Sequence, residues 1–155
     1  MVVYNVNDER SIEMAEILHK ITIKAPSGAV YDALSTVEGL SGWWTKTTSG
    51  ESAPGKSLEF RFGEHVVRMR VAALEPGKRV VWECAESAGE WAGTRLTFQL
   101  SEEAGRTTLL FGHREWKEST PFLASCSMKW ATFLLSLREY VESGEGRPFP
   151  LDIAV

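Results

Sequence analysis

The sequence predicts an α+β fold: a curved antiparallel sheet of six to seven strands wrapped around one long C-terminal helix, with two short helices after the first strand. Three observations carry this expectation. Between Leu58 and Arg114, apolar and polar residues alternate in five successive runs, the pattern of strands with one covered face. The connections between the runs are short enough to join antiparallel neighbours as hairpins. From Pro121 the apolar period changes to three-to-four over about six turns, giving the one element long and apolar enough to cover the sheet.

Residues 1–16 read as a leader, residues 17–144 as a single domain and residues 145–155 as a C-terminal tail. The first strand alternates from Leu18 to Lys24, with Ile21 and Ile23 on one face. Ala25-Pro26-Ser27 ends it, and Pro26 suits the first turn of a helix in which Val30, Ala33, Leu34 and Val37 recur at helical spacing. Gly39 and Gly42 are expected to break that period ahead of Trp43-Trp44, and residues 45–57 to form a polar connection with one edge strand. The five alternating runs follow. Leu58, Phe60 and Phe62 alternate with Glu59 and Arg61, then Val67, Met69 and Val71 with Arg68 and Arg70, then Val80, Trp82 and Cys84 with Glu83. Leu96, Phe98 and Leu100 alternate with Arg95, Thr97 and Gln99, and Leu109, Phe111 and His113 with Leu110, Gly112 and Arg114. Gly63-Glu64, Glu75–Lys78, Ser87–Glu90 and Glu102–Gly105 connect them. In the final helix Ser119 or Thr120 supplies the cap and Pro121 the first position. Leu123, Cys126, Trp130, Phe133, Leu134, Leu137 and Val141 form its apolar stripe, and Gly144 and Gly146 stop it. The tail from Phe149 to Val155 is apolar enough to dock on a surface.

The 155 residues carry 21 acidic and 17 basic side chains, a formal net charge of -4. That balance gives no global attraction to nucleic acid. Arg61, Arg68, Arg70 and Arg95 share the outer face of the sheet with Glu59, Glu83 and Gln99, which reads as cross-strand ion pairing. No apolar run reaches membrane-spanning length and the first residues are too polar for a signal peptide, so a soluble, cytoplasmic protein is expected. Cys84 and Cys126 fall at inward positions without zinc or redox spacing and read as small buried thiols. His19, His65 and His113 are scattered, so neither a metal nor a cofactor is indicated. Gly63-Glu64-His65 reads as a hairpin tip alone.

The residues also carry a family resemblance. Ile21-Thr22-Ile23-Lys24-Ala25-Pro26 followed by Val30-Tyr31-Asp32-Ala33-Leu34, then Gly39-Leu40-Ser41-Gly42-Trp43-Trp44, resembles the opening of helix-grip proteins of the START and Bet v 1-like superfamily. Thr107–His113 is similar to that superfamily's penultimate strand, and Trp130 with Leu134, Leu137, Tyr140, Val141 and Glu142 to its closing helix. Within it, the chain resembles most the bacterial activator-of-Hsp90-ATPase-homologue-like group. The resemblance implies a helix-grip fold over residues 17–144. It is not specific for activity, because members include lipid and hormone binders, polyketide cyclases and chaperone cofactors.

The candidate binding residues are the inward set Phe60, Phe62, Met69, Val71, Trp82, Cys84, Leu96, Phe98, Leu109, Phe111, His113, Phe122, Cys126, Trp130 and Phe133, with Trp43 and Trp44 at the mouth as lid or plug. Such a lining suits a small hydrophobic, aromatic or lipid-like molecule held between sheet and helix. A filled core built from the same residues is the alternative. Trp91 and Trp116 lie near turns and can belong to either rim. The candidate catalytic residues are His113 and Glu115, two apart on one strand and so on one face, as the acid–base pair of a cyclase- or hydrolase-type enzyme. In the opposing account Glu115 lies in solvent and His113 donates to a backbone carbonyl. The pair has neither nucleophile nor oxyanion donor, so non-catalytic binding leads. A third expectation is a chaperone-cofactor-like or regulatory protein-interaction module, which requires an exposed apolar patch. A homodimer is compatible with all three.

Overall fold

The computed structural model describes residues 15–85 and 89–155. The expected leader thus falls almost wholly outside the described residues, as do Ser87 and Ala88. The chain runs β1 (Ala15–Ile23), α1 (Ser27–Ser35), α2 (Val37–Trp43), β2 (Thr47–Gly50), β3 (Ser57–Phe62), β4 (His65–Glu75), β5 (Arg79–Cys84), β6 (Arg95–Glu103), β7 (Arg106–Trp116) and α3 (Pro121–Ser143). The seven strands form one antiparallel sheet in the order β1-β7-β6-β5-β4-β3-β2, gripping α3 as the sequence predicts.

The alternating runs pair in register: Phe60 faces Val67, Leu58 faces Met69, Val71 faces Trp82, and Phe98 faces Phe111. Their apolar members, apart from the half-buried Phe62 and Val67, are buried in one core with Cys126, Trp130, Phe133, Leu134 and Leu137 of α3. At the helix start the Thr120 hydroxyl accepts a hydrogen bond from the Leu123 N–H, and Pro121 takes the first turn. At its end Gly144 turns left-handed at φ 87°. The outer face carries the expected ladder: Glu59 pairs with Arg68, and Glu83 with Arg70 and Arg95. Among the described residues, no helix is long and apolar enough to cross a membrane.

Gly39 and Gly42 do not break the helical path. Both lie inside α2, where missing side chains permit close approach. A Cβ on Gly39 would sit 2.6 Å from the Ala33 Cα, and one on Gly42 would sit 2.3 Å from the Tyr140 ring. The bend between α1 and α2 falls instead at Thr36, whose extended backbone separates the helices and whose hydroxyl caps α2 on the Gly39 N–H.

The tail docks. The Ser136 hydroxyl donates to the Trp43 carbonyl and accepts from the Arg147 N–H, turning the chain back after α3. The Phe149 N–H then donates to the Trp44 carbonyl at 2.8 Å, and the Lys46 N–H to the Phe149 carbonyl at 3.1 Å. The Phe149 ring consequently packs edge-on against Phe62.

Candidate functional site

The centre of the grip is solid. Trp44, delivered by the end of α2, is buried between sheet and helix, with ring centres 4.2 Å from Phe60, 5.0 Å from Trp130 and 5.9 Å from Trp82. Trp43 is buried too, its indole N–H donating to the Ala33 carbonyl at 2.8 Å. Both tryptophans are plugs. Their volume, with Phe60, Met69, Val71, Trp82, Cys84, Leu96, Phe98, Leu109 and Phe111, occupies the space expected to be hollow under the whole sheet.

A cavity survives at one end. Of ≈ 610 Å³, it lies between Phe62, His65, Val66 and Val67 of the β3–β4 hairpin, Gly89 and Trp91 of the β5–β6 connection, the first half of α3, and the tail. α3 contributes Phe122, Cys126, Lys129, Trp130 and Phe133, and the tail contributes Phe149 and Asp152. The size falls within the usual range of about 300–1,000 Å³ for small-molecule pockets. Five of the sequence-predicted binding residues line it: Phe62, Phe122, Cys126, Trp130 and Phe133. Phe122 was expected inward but is 46% exposed, because it lies in the first turn of α3 beyond the sheet and reaches only the rim, against Trp116.

The wall also takes in His65, Val66, Val67, Gly89, Lys129, Phe149 and Asp152, none of them in the sequence-predicted binding set, and Trp91, which the sequence left to either rim. His65 opens β4 and lines the rim, so the hairpin tip is part of the site. Trp91 folds back from a connection that spans residues 85–94, longer than the expected turn. Its ring stacks on Trp130 at 5.9 Å, and its N–H donates to the Cys126 sulfur at 3.4 Å. Lys129 and Asp152 face each other across the mouth as an ion pair. Only the phase of Lys129, one turn from Cys126 and Phe133 on α3, could have signalled a wall position.

His113 and Glu115 are not on one face. The β1–β7 register pairs Ile17 with His113 but Ala15 with Trp116, so β7 carries one extra residue in between. This bulge holds Glu115 at φ 67°, turns its carboxylate to solvent 3.8 Å from Arg95, and returns Trp116 to the interior. His113 is fully buried, and it does not bond a backbone carbonyl either. The Trp130 N–H donates to its Nδ1 at 3.1 Å, and because indole is only a donor, Nδ1 must be bare. The ring proton therefore sits on Nε2, 2.8 Å from the Thr94 hydroxyl, which in turn donates to the Trp91 carbonyl. Burial pushes the imidazole pKa down to about 3. A neutral ring with both nitrogens committed, one to Trp130 and one to Thr94, holds these side chains in place and takes up no second proton near neutral pH.

The thiols are equally quiet. Cys84 and Cys126 are free. Burial pushes Cys84 up to about 11, opposed weakly by Thr94, and raises Cys126 despite the Trp91 N–H that favours its thiolate. The site can therefore bind through aromatic surface and one ion pair. Among the described residues, no group of three or more His, Cys, Asp or Glu side chains is placed to hold a metal.

Residues 24–142 match the family described as Activator of Hsp90 ATPase homolog 1-like protein. Among solved structures, the Aha1 dimer from Colwellia psychrerythraea is 41% identical and superposes with a TM-score of 0.80, the match covering 86% of this chain and 100% of that one. A protein from Staphylococcus saprophyticus is 19% identical with a TM-score of 0.70, covering 85% of this chain and 95% of its own. One from Mesorhizobium loti is 18% identical with a TM-score of 0.70, covering 83% and 97%. The last two share the fold. No curated protein is similar enough to count as a match.

Proposed function

The chain belongs to the Activator of Hsp90 ATPase homolog 1-like family, and from that premise we propose that it is a non-catalytic binding module for a small apolar or aromatic molecule. The observation that carries this reading is the ≈ 610 Å³ cavity, with Phe62, Trp91, Trp130, Phe133 and Phe149 on its walls. A flat ligand that removes roughly 250 Å² of apolar surface from water gains on the order of 6 kcal/mol, before the cost of immobilising it. Dissociation constants of roughly micromolar to millimolar follow. Phenylnaphthylamine is a suitable uncharged probe. Its fluorescence should rise on binding, and Val67→Trp, which fills the cavity from β4, should abolish the rise. No binding by the wild-type protein, or full binding by Val67→Trp, counts against the reading.

A second reading is homodimerisation. The Colwellia protein, at 41% identity, is described as a dimer. In this chain Met128 and Leu135, 60% and 43% exposed, lie two turns apart on α3 and offer an apolar face to a partner. Light scattering after size exclusion tests this. A monomer at about 100 μM rules it out at any ordinary strength of association.

A further inference from the structure

We infer that the cavity takes aromatic molecules that carry an acidic group, and that the Asp152 carboxylate of the tail competes with that group for Lys129. The inference rests on the cavity reading and adds a charge and a latch to it. Among the described residues that line the cavity, Lys129 is the one lysine or arginine. It projects from the first half of α3, its ammonium 5.3 Å from the centre of the Phe133 ring and its side chain only 29% exposed. Asp152 pairs with it and is 9% exposed. The Ile153 carbonyl accepts a second hydrogen bond from the same ammonium.

The two partners are anchored unequally. Lys129 stands on a 23-residue helix packed into the core. Asp152 stands on a tail fastened firmly only as far as Phe149, through Ser136, Trp44 and Lys46. The Leu151 N–H bonds locally to the Pro148 carbonyl. Among the described residues, every hydrogen bond and ion pair from residues 152–155 to the rest of the chain runs through Lys129. Leu151, Ile153 and Val155 are exposed and hold nothing down.

The consequence is directional. When the latch opens, the group left in the cavity wall is a partly desolvated cation beside aromatic rings, which is costly until an anion replaces Asp152. A ligand with an acid next to a flat apolar body supplies that anion and covers the Trp91 and Trp130 rings at once. A cationic ligand would have to displace Lys129, which is the anchor that keeps Asp152 at the site. Among the described lining residues, His65, exposed on the rim, is the remaining titratable nitrogen side chain.

Two probes of the same shape separate charge from apolar fit: anilinonaphthalene sulfonate, which carries an acid, and phenylnaphthylamine, which does not. Fluorescence titrations at low salt compare the wild-type chain with Asp152→Asn and Lys129→Met. Asp152→Asn should tighten the sulfonate about fivefold by freeing the ammonium, and Lys129→Met should weaken it about fivefold. The uncharged probe, which gains nothing from the ammonium, should shift less than the sulfonate and in the same direction with both variants, because both loosen the tail. Opposite shifts from the two partners of one ion pair cannot come from loosening the tail, which both substitutions do alike. Shifts of the same sign, or none, overturn the inference and leave the cavity reading standing if the uncharged probe still binds. Failure of both probes with all three proteins overturns both.

Discussion

His113 offers the most quantitative test of this structure. Its ring is fully buried, accepts from Trp130 and donates to Thr94, and its pKa is pushed from 6.5 down to about 3. The unfolded chain takes up this proton at 6.5 and the folded chain only near 3. Throughout that window the unfolded state binds more protons, so stability is fully present above pH 6.5 and falls as the pH falls. The slope is about 1.4 kcal/mol per pH unit, so between pH 6.5 and 4.5 the ring removes about 3 kcal/mol of stability. That is a large fraction of the roughly 5–15 kcal/mol typical of a domain. Surface carboxylates titrate over part of the same range, so the reference is His113→Gln, which keeps a donor and an acceptor but cannot ionise. Urea unfolding of both proteins at several pH values between 7.5 and 4.5 should show the wild type losing about 3 kcal/mol more than the variant. The imidazole resonances that disappear in His113→Gln should not move over that range. A constant stability gap, or a His113 resonance that titrates near 6.5, would refute the buried, neutral assignment and reopen acid–base chemistry at this position.

Three further predictions concern packing and backbone. Trp130→Phe keeps an aromatic ring but leaves the His113 Nδ1 without its donor, and should cost about 1–3 kcal/mol in urea unfolding. Combined with His113→Gln, the two losses should be less than additive, because both break one network. Gly39→Ala places a methyl 2.6 Å from the Ala33 Cα and 2.8 Å from its carbonyl oxygen, so α1 and α2 must separate. A loss of about 3 kcal/mol is expected, and a loss below about 1 would show that the helices are not closely packed. Glu115→Val should cost about 2 kcal/mol because a branched side chain resists φ 67°, whereas Glu115→Gly should be neutral or slightly stabilising despite loss of the exposed Arg95 pair. Equal effects from the two substitutions would argue against the bulge.

The bulge shows how far a repeating pattern can be trusted. Leu109, Phe111 and His113 follow period two, and extending that period by one step places Glu115 beside His113. The next buried residue is in fact Trp116, three positions on, and that slip of phase was the available signal. Trp91 was harder to place, since it sits in an irregular connection where neither period applies. Gly39 and Gly42 were legible as glycines but not as contacts, because what they permit depends on Ala33 and Tyr140.

Alternation and helical period sufficed for the architecture because both are local properties of the chain: neighbouring side chains choose a face, and a single apolar face must be covered. Whether the covered volume would be full or hollow was decided by tertiary structure alone. It depends on where the bulk of Trp44 ends up, far along the chain from Trp82 and Trp130, and on how a tail returning past Ser136 brings Asp152 to Lys129. Volumes and charge pairs of this kind are sums over residues distant in sequence, and no short-range pattern encodes them.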